Sequence, residues 1–172
     1  MPVCYIGIGS NLGDRNAWMD FAEHQLQRYG SLLRQSSRYT SMPWGFKSQH
    51  LFLNEVIALL TSLSPNEMLT IAKEIEKKSG RISSDNGYQD RPLDIDLLLY
   101  DELIVQSSML TIPHPAMHLR QFVLVPLHEI APQIIHPVSH QTIAQLLLDC
   151  PDSAKVYRDQ TECSEYLNYF II

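Results

Sequence analysis

Leu93-Asp94-Ile95-Asp96-Leu97-Leu98-Leu99-Tyr100 is the stretch on which the fold turns. It reads as one apolar strand, closed by a turn at Asp101-Glu102. Side chains alternate along a strand, so Asp94 and Asp96 share one face while Leu93, Ile95, Leu97 and Leu99 share the other. A rise of ~3.3 Å per residue puts the two acidic positions about 7 Å apart along the backbone. Two carboxylates so close repel each other unless a cation lies between them. A bare Asp-x-Asp also fits an exposed polar sheet face. The apolar residues around this pair, and Arg91 just upstream, argue for a site instead.

Working outward, Val3-Cys4-Tyr5-Ile6-Gly7-Ile8 reads as a first strand, and Gly9-Ser10-Asn11-Leu12-Gly13-Asp14 as a turn ending in a helix N-cap at Asp14. Trp18, Phe21, Ala22, Leu26 and Tyr29 follow at helical spacing, and Gly30 ends that helix. Residues 31–40 fit a second strand, 42–47 a Pro/Gly loop and 52–62 a third strand. Ser64-Pro65-Asn66-Glu67 signals a helix start with a capping box, and Ser79-Gly80 its end. Residues 81–92 read as a long polar loop leading to the Asp-x-Asp strand, with a short return strand at 103–105. The order β-α-β-β-α-β predicts an α+β fold, a ferredoxin-like antiparallel sheet with helices on one face and long active-site loops. The Pro-rich remainder reads as short helices and loops packed on this core, with a last helix at 142–148.

With 172 residues, the chain fits a single domain with its own core. A net charge of -6 argues against non-specific nucleic-acid binding, which needs a basic face. Cys4, Cys150 and Cys163 show no metal or disulfide spacing and read as reduced thiols. No secretory segment precedes the first strand and no apolar run reaches the ~18–20 residues of a membrane helix, so a cytoplasmic protein is expected.

Four features carry chemistry. Asp94 and Asp96 supply hard oxygen ligands. Magnesium usually takes only one or two such carboxylates, with phosphate and water completing its shell. Gly7-Ile8-Gly9-Ser10-Asn11-Leu12-Gly13 lacks the third glycine of a dinucleotide fingerprint, so it reads as a tight strand-to-helix turn. Phe52 and Asn54 share a strand face and, with Phe122, suit a flat heterocycle, although either Phe also fits a core. His114 and Arg120 lie where they could meet a phosphate; His114 also fits a merely structural loop residue.

In this order the motifs resemble the 6-hydroxymethyl-7,8-dihydropterin pyrophosphokinase family of folate biosynthesis. The resemblance rests on Gly9-Ser10-Asn11-Leu12-Gly13, Phe52-Leu53-Asn54, Glu76 with Gly80-Arg81, Arg91-Pro92-Leu93-Asp94-Ile95-Asp96, Pro113-His114 and Arg120-x-Phe122. It implies transfer of pyrophosphate from ATP to the pterin hydroxymethyl group, with release of AMP. Asp94 and Asp96 would then hold two Mg2+ ions, and Arg81, Arg91, Asp94 and Asp96 would form the catalytic set. The ATP side would use Glu76, Arg81, Arg91, Ile95, His114 and Arg120. The pterin side would use Ser41, Met42, Trp44, Phe52, Asn54, Asp94 and Phe122. The implied partners are these small molecules, with neither nucleic acid nor membrane.

The resemblance divides the chain into a domain at 1–150 and an extension at 151–172. A monomer is expected, and the apolar tail offers a surface for a dimer. Three departures stand out. Residues 82–90, usually basic in the family, hold no base and two acids. Tyr88 stands where a closing Trp is usual, and Pro115 where a Tyr commonly follows the His. The loss of the basic loop is the best support for the competing reading, a pterin- or nucleotide-binding module without catalysis, and the retained Asp94/Asp96 pair argues against it.

Overall fold

The computed structural model describes residues 1–80 and 89–160. The expectations for Arg81, Tyr88 and the apolar end of the tail fall outside the described residues.

Strand β1 (Val3–Ser10) leads through the glycine turn into helix α1 (Arg15–Leu26), whose N-cap is Asp14. The predicted second strand is instead two, β2 (Ser31–Gln35) and β3 (Tyr39–Ser41), which both pair with β4 (Phe52–Leu60). Helix α2 (Pro65–Lys78) starts with a complete Ser64/Glu67 capping box and a first-turn proline. The Asp-x-Asp stretch forms β5 (Asp94–Tyr100). All pairings in the six-stranded sheet are antiparallel, in the order β5-β1-β4-β3, with β2 also on β4.

The predicted return strand at 103–105 does not pair back onto β5. A shorter strand, β6 (Val105–Gln106), pairs with β7 (Thr111–Ile112) in a separate ribbon. Helices α3 (Gln121–Ile130) and α4 (Ile143–Leu148) follow, and β8 (Val156–Arg158) adds to β3 at the sheet edge. Among the described residues no helix is long and apolar enough to cross a membrane.

Helices cover both faces of the sheet, not one. Ile6, Ile8, Leu53, Ile57, Ile95 and Leu97 pack with Met19, Leu26, Met68 and Ile75 of α1 and α2. On the other face Val56, Ala58, Leu98 and Leu99 pack with Leu124, Leu127 and Leu146 of α3 and α4. Leu99 therefore lies opposite to where strict alternation puts it. The reason is a β-bulge: Tyr5 pairs with Leu99 and Ile6 with Leu97, so Leu98 is the extra residue and the facing inverts beyond it.

Candidate active site

The bulge leaves the acidic end of β5 undisturbed. Asp94 and Asp96 both line one cavity, on the sheet face that α3 covers only in part. The glycine turn fixes the entry to this strand. The side-chain oxygen of Asn11 accepts from Arg91 N–H at 2.7 Å, and its amide donates to Asp90 at 2.6 Å. Backbone N–H of Asn11 in turn donates to the Arg91 carbonyl at 3.2 Å. Held this way, the buried Arg91 places Nη1 2.9 Å from Asp94 Oδ1.

Asp96 sits in looser contacts, with the Arg120 guanidinium Nη1 and the His114 ring Nε2 each 3.9 Å from its Oδ2. Burial, and then the Asp94 carboxylate, push its pKa up, while Arg120 and Lys73 only partly offset this. A pair of acids that resists full ionisation is the arrangement a bound cation relieves. No group of three or more His, Cys, Asp or Glu side chains among the described residues is arranged to hold a metal. Asp94 and Asp96 would offer a metal two carboxylates, a donor set that suits magnesium sharing its shell with phosphates.

His114 is held neutral. Burial, and then Arg120, lower its pKa to about 4, against the opposing pull of Asp94. Ala116 N–H donates to His114 Nδ1 at 3.2 Å, so in the neutral ring the proton resides on Nε2, the nitrogen nearer Asp96. His114 thus offers one N–H donor to the cavity.

Aromatic rings line the same cavity. Phe52 meets Phe46 edge to face at 6.2 Å, and the Arg120 guanidinium lies over Trp44 at 4.5 Å and Phe122 at 5.7 Å. Asn54 donates to Ser41 Oγ at 2.9 Å and to the Tyr39 carbonyl at 3.4 Å. Its oxygen faces Gly9, where a Cβ would come within 3.3 Å of it, so the missing side chain keeps the floor open beside the amide.

Ser41, Met42, Trp44, Phe52, Asn54 and Phe122 come together with Arg91, Asp94, Asp96, His114 and Arg120 around this one cavity. Glu76 and Ile95 do not line it. Glu76 is buried between α2 and β5, accepting from Ile95 N–H at 2.8 Å and pairing with Lys73 at 2.9 Å, and the Ile95 side chain belongs to the core. Several lining residues were not named as site residues from sequence, among them Lys73, Phe46 and Glu55. Lys73 had a legible signal, since it lies three residues before Glu76 on the same helix face. Phe46 is an aromatic in an irregular loop, which no periodicity marks.

The family model described as 7,8-dihydro-6-hydroxymethylpterin-pyrophosphokinase matches residues 5–132. A Porphyromonas gingivalis protein named 2-amino-4-hydroxy-6-hydroxymethyldihydropteridine pyrophosphokinase is 47% identical over 141 residues, covering 80% of this chain and 95% of that protein. An Aquifex aeolicus protein of the same name is 37% identical over 145 residues, covering 84% of this chain and 90% of its own. Among solved structures, wild-type Plasmodium falciparum HPPK-DHPS superposes with a TM-score of 0.69 at 15% identity over 86% of this chain. At that identity the likeness speaks for the fold alone, and this chain spans 44% of the Plasmodium chain's length.

Proposed function

The chain belongs to the 7,8-dihydro-6-hydroxymethylpterin-pyrophosphokinase family, and from that premise we propose that its cavity transfers pyrophosphate from ATP to 6-hydroxymethyl-7,8-dihydropterin in folate biosynthesis. The pterin hydroxymethyl oxygen attacks the β-phosphorus, the bond from that phosphorus to the α–β bridging oxygen breaks, and AMP leaves. One observation carries the reading: a single cavity is lined by paired carboxylates, cations, an amide and aromatic rings, with the Arg120 guanidinium between Asp96 and the Trp44 and Phe122 rings.

Phe52 and Phe122 sandwich the pterin, and Asn54, with the backbone around Ser41, Met42 and Trp44, reads its polar edge. Asp94 and Asp96 hold two Mg2+ ions, which neutralise phosphate charge when bound. Arg91 and Arg120 contact the phosphates, His114 donates to them from Nε2, and Lys73 adds a further cation. Arg81 joins this set by family resemblance. Glu76 acts from beneath, by fixing the Ile95 end of β5. Catalysis of this kind is positioning plus charge neutralisation, with no covalent enzyme intermediate. We place this machinery in residues 1–150, with β8 as a strut on the sheet edge, in a cytoplasmic monomer. We further read the fold as ferredoxin-like, which the strand order β5-β1-β4-β3 supports.

Protein mixed with ATP, magnesium and hydroxymethyl-dihydropterin is expected to form AMP. Asp96→Asn should reduce the rate by at least about a hundredfold while pterin still binds. Tight pterin binding without AMP would instead favour the binding module that the acids between Arg81 and Arg91 suggest. With no base at 82–90, Arg81 and Arg91 carry an unusual share of the phosphate work. Arg91→Ala should therefore cost turnover heavily, and near-normal turnover would refute that share.

A further inference from the structure

The step between β2 and β3 carries one residue more than the strand beside it. Gln35 faces Ile57 and Tyr39 faces Asn54, so four steps on one side match three on β4. An extra residue inverts which side chains face which side. Beyond the step, Tyr39 and Ser41 stand on the cavity face beside Asn54 and Phe52. Strand β3 has only three residues, too few to fix its own register by apolar pattern.

Arg38 sits at this step and is buried, pointing to the α1 face. Its Nε donates to Glu55 Oε2 at 3.2 Å, Nη1 to Asn16 at 2.7 Å, and Nη2 to Glu23 at 2.7 Å and to Asp20. Glu55 has a side chain with no exposure and lies one step along from the Tyr39–Asn54 pair. On the opposite face Glu129 accepts from the Ser37 N–H and hydroxyl, each at 2.8 Å. A one-residue slip would carry the Arg38 guanidinium away from all of these acceptors and turn it toward the α3 face. Leaving a buried charge without its partners is among the costliest changes available to a fold, and fixing register is the best-attested use of a buried polar pair.

We propose that Arg38, paired with Glu55, is a register lock that sets which residues of the β3 strand face the cavity, and thereby positions Ser41 and Asn54 for the pterin. The proposal rests on the pyrophosphokinase reading of the site. Arg38 touches neither substrate; it is a positioning residue acting through β3. The carboxylates and Arg91, carried by β5 and its approach, are held independently by β1 and Asn11.

The test is the Arg38→Met/Glu55→Leu double variant, which removes the guanidinium and the buried Glu55 carboxyl together, leaving Asp20 and Glu23 without their Arg38 contact. It should still unfold in urea as one cooperative transition, at a midpoint lowered by the loss of the Asn16, Asp20 and Glu23 contacts. KM for the pterin should rise about tenfold, the scale of one well-placed hydrogen bond, with KM for ATP within about twofold. Arg38→Lys, which keeps the charge, should restore most of the pterin KM. If the double variant does not fold, Arg38→Gln serves in its place, with the same split expected. An unaltered pterin KM, or an equal rise in both KM values, overturns the lock while wild-type turnover leaves the site reading intact. A wild-type protein that forms no AMP sinks both.

Discussion

Glu55 is a carboxylate that the fold holds against its own charge. Burial raises its pKa most, Glu23 adds to the rise, and Arg38 only partly offsets it, leaving the value at about 8. The native state therefore binds this proton more tightly than the unfolded chain, whose carboxyl titrates near 4.5. Stability from this group is greatest below the unfolded value, falls as pH rises between the two, and is fully lost above the folded value. Glu55→Gln keeps an acceptor for Arg38 and removes the titration. The variant's melting temperature should exceed that of the wild type by more at pH 8.5 than at pH 5.5; parallel melting curves across that range would rule out a buried titrating Glu55. Neither Arg38 nor Glu55 stands out in the sequence. Both lie in apparently ordinary strands, and only the extra residue between β2 and β3 brings them together. Asp94 and Asp96 were legible because a period-two argument inside one strand sufficed.

At the scale of elements, local signals were readable and pairing signals were not. Both capping residues, Asp14 and Ser64, stand where the sequence places them, because a cap is settled within four residues. The facing of Leu99 was not readable, because the bulge at Leu98 belongs to the pairing of β5 with β1. The short strand β6 likewise found a partner in β7 that no local pattern announces. The glycine turn shows how one element serves another. Its sequence signals only a tight turn, yet Asn11 is the brace for Arg91, 80 positions away. Asn11→Ala would strand the buried Arg91 N–H and should cost about 1–3 kcal/mol of stability, read as a shift in the urea midpoint. The larger effect belongs to catalysis: kcat should fall about tenfold as Arg91 loses its fixed approach to Asp94, with the pterin KM little altered. A variant that lost stability but kept its kcat would show that the brace serves the fold alone.

Across the whole molecule, the two faces of the sheet have different duties. The α1/α2 face is mostly apolar core, interrupted where the buried Arg38–Glu55 pair meets α1. The α3/α4 face is core at one end and cavity at the other, with Val56, Leu98 and Val123 belonging to both. That division also reconciles a net charge of -6 with phosphate binding, because Lys73, Arg91 and Arg120 are gathered at the cavity. It further explains why cavity residues scattered from Ser41 to Phe122 could be named from motifs while their assembly could not. The strand order β5-β1-β4-β3 sets the Asp94/Asp96 strand two places from Asn54, and only the non-local pairing supplies that order. The division has a measurable consequence. Met68 and Leu124 are both fully buried, one in each face. Truncating either to Ala should cost about 2–5 kcal/mol in urea unfolding. Met68→Ala, whose cavity opens on the closed face, should leave the pterin KM unchanged in the molecules that remain folded. Leu124→Ala removes support beneath the turn of α3 that carries Phe122 and Val123, so its pterin KM should rise as well. Equal effects of the two truncations on the pterin KM would mean that the faces are not separable, and that the site responds to global stability in place of local packing.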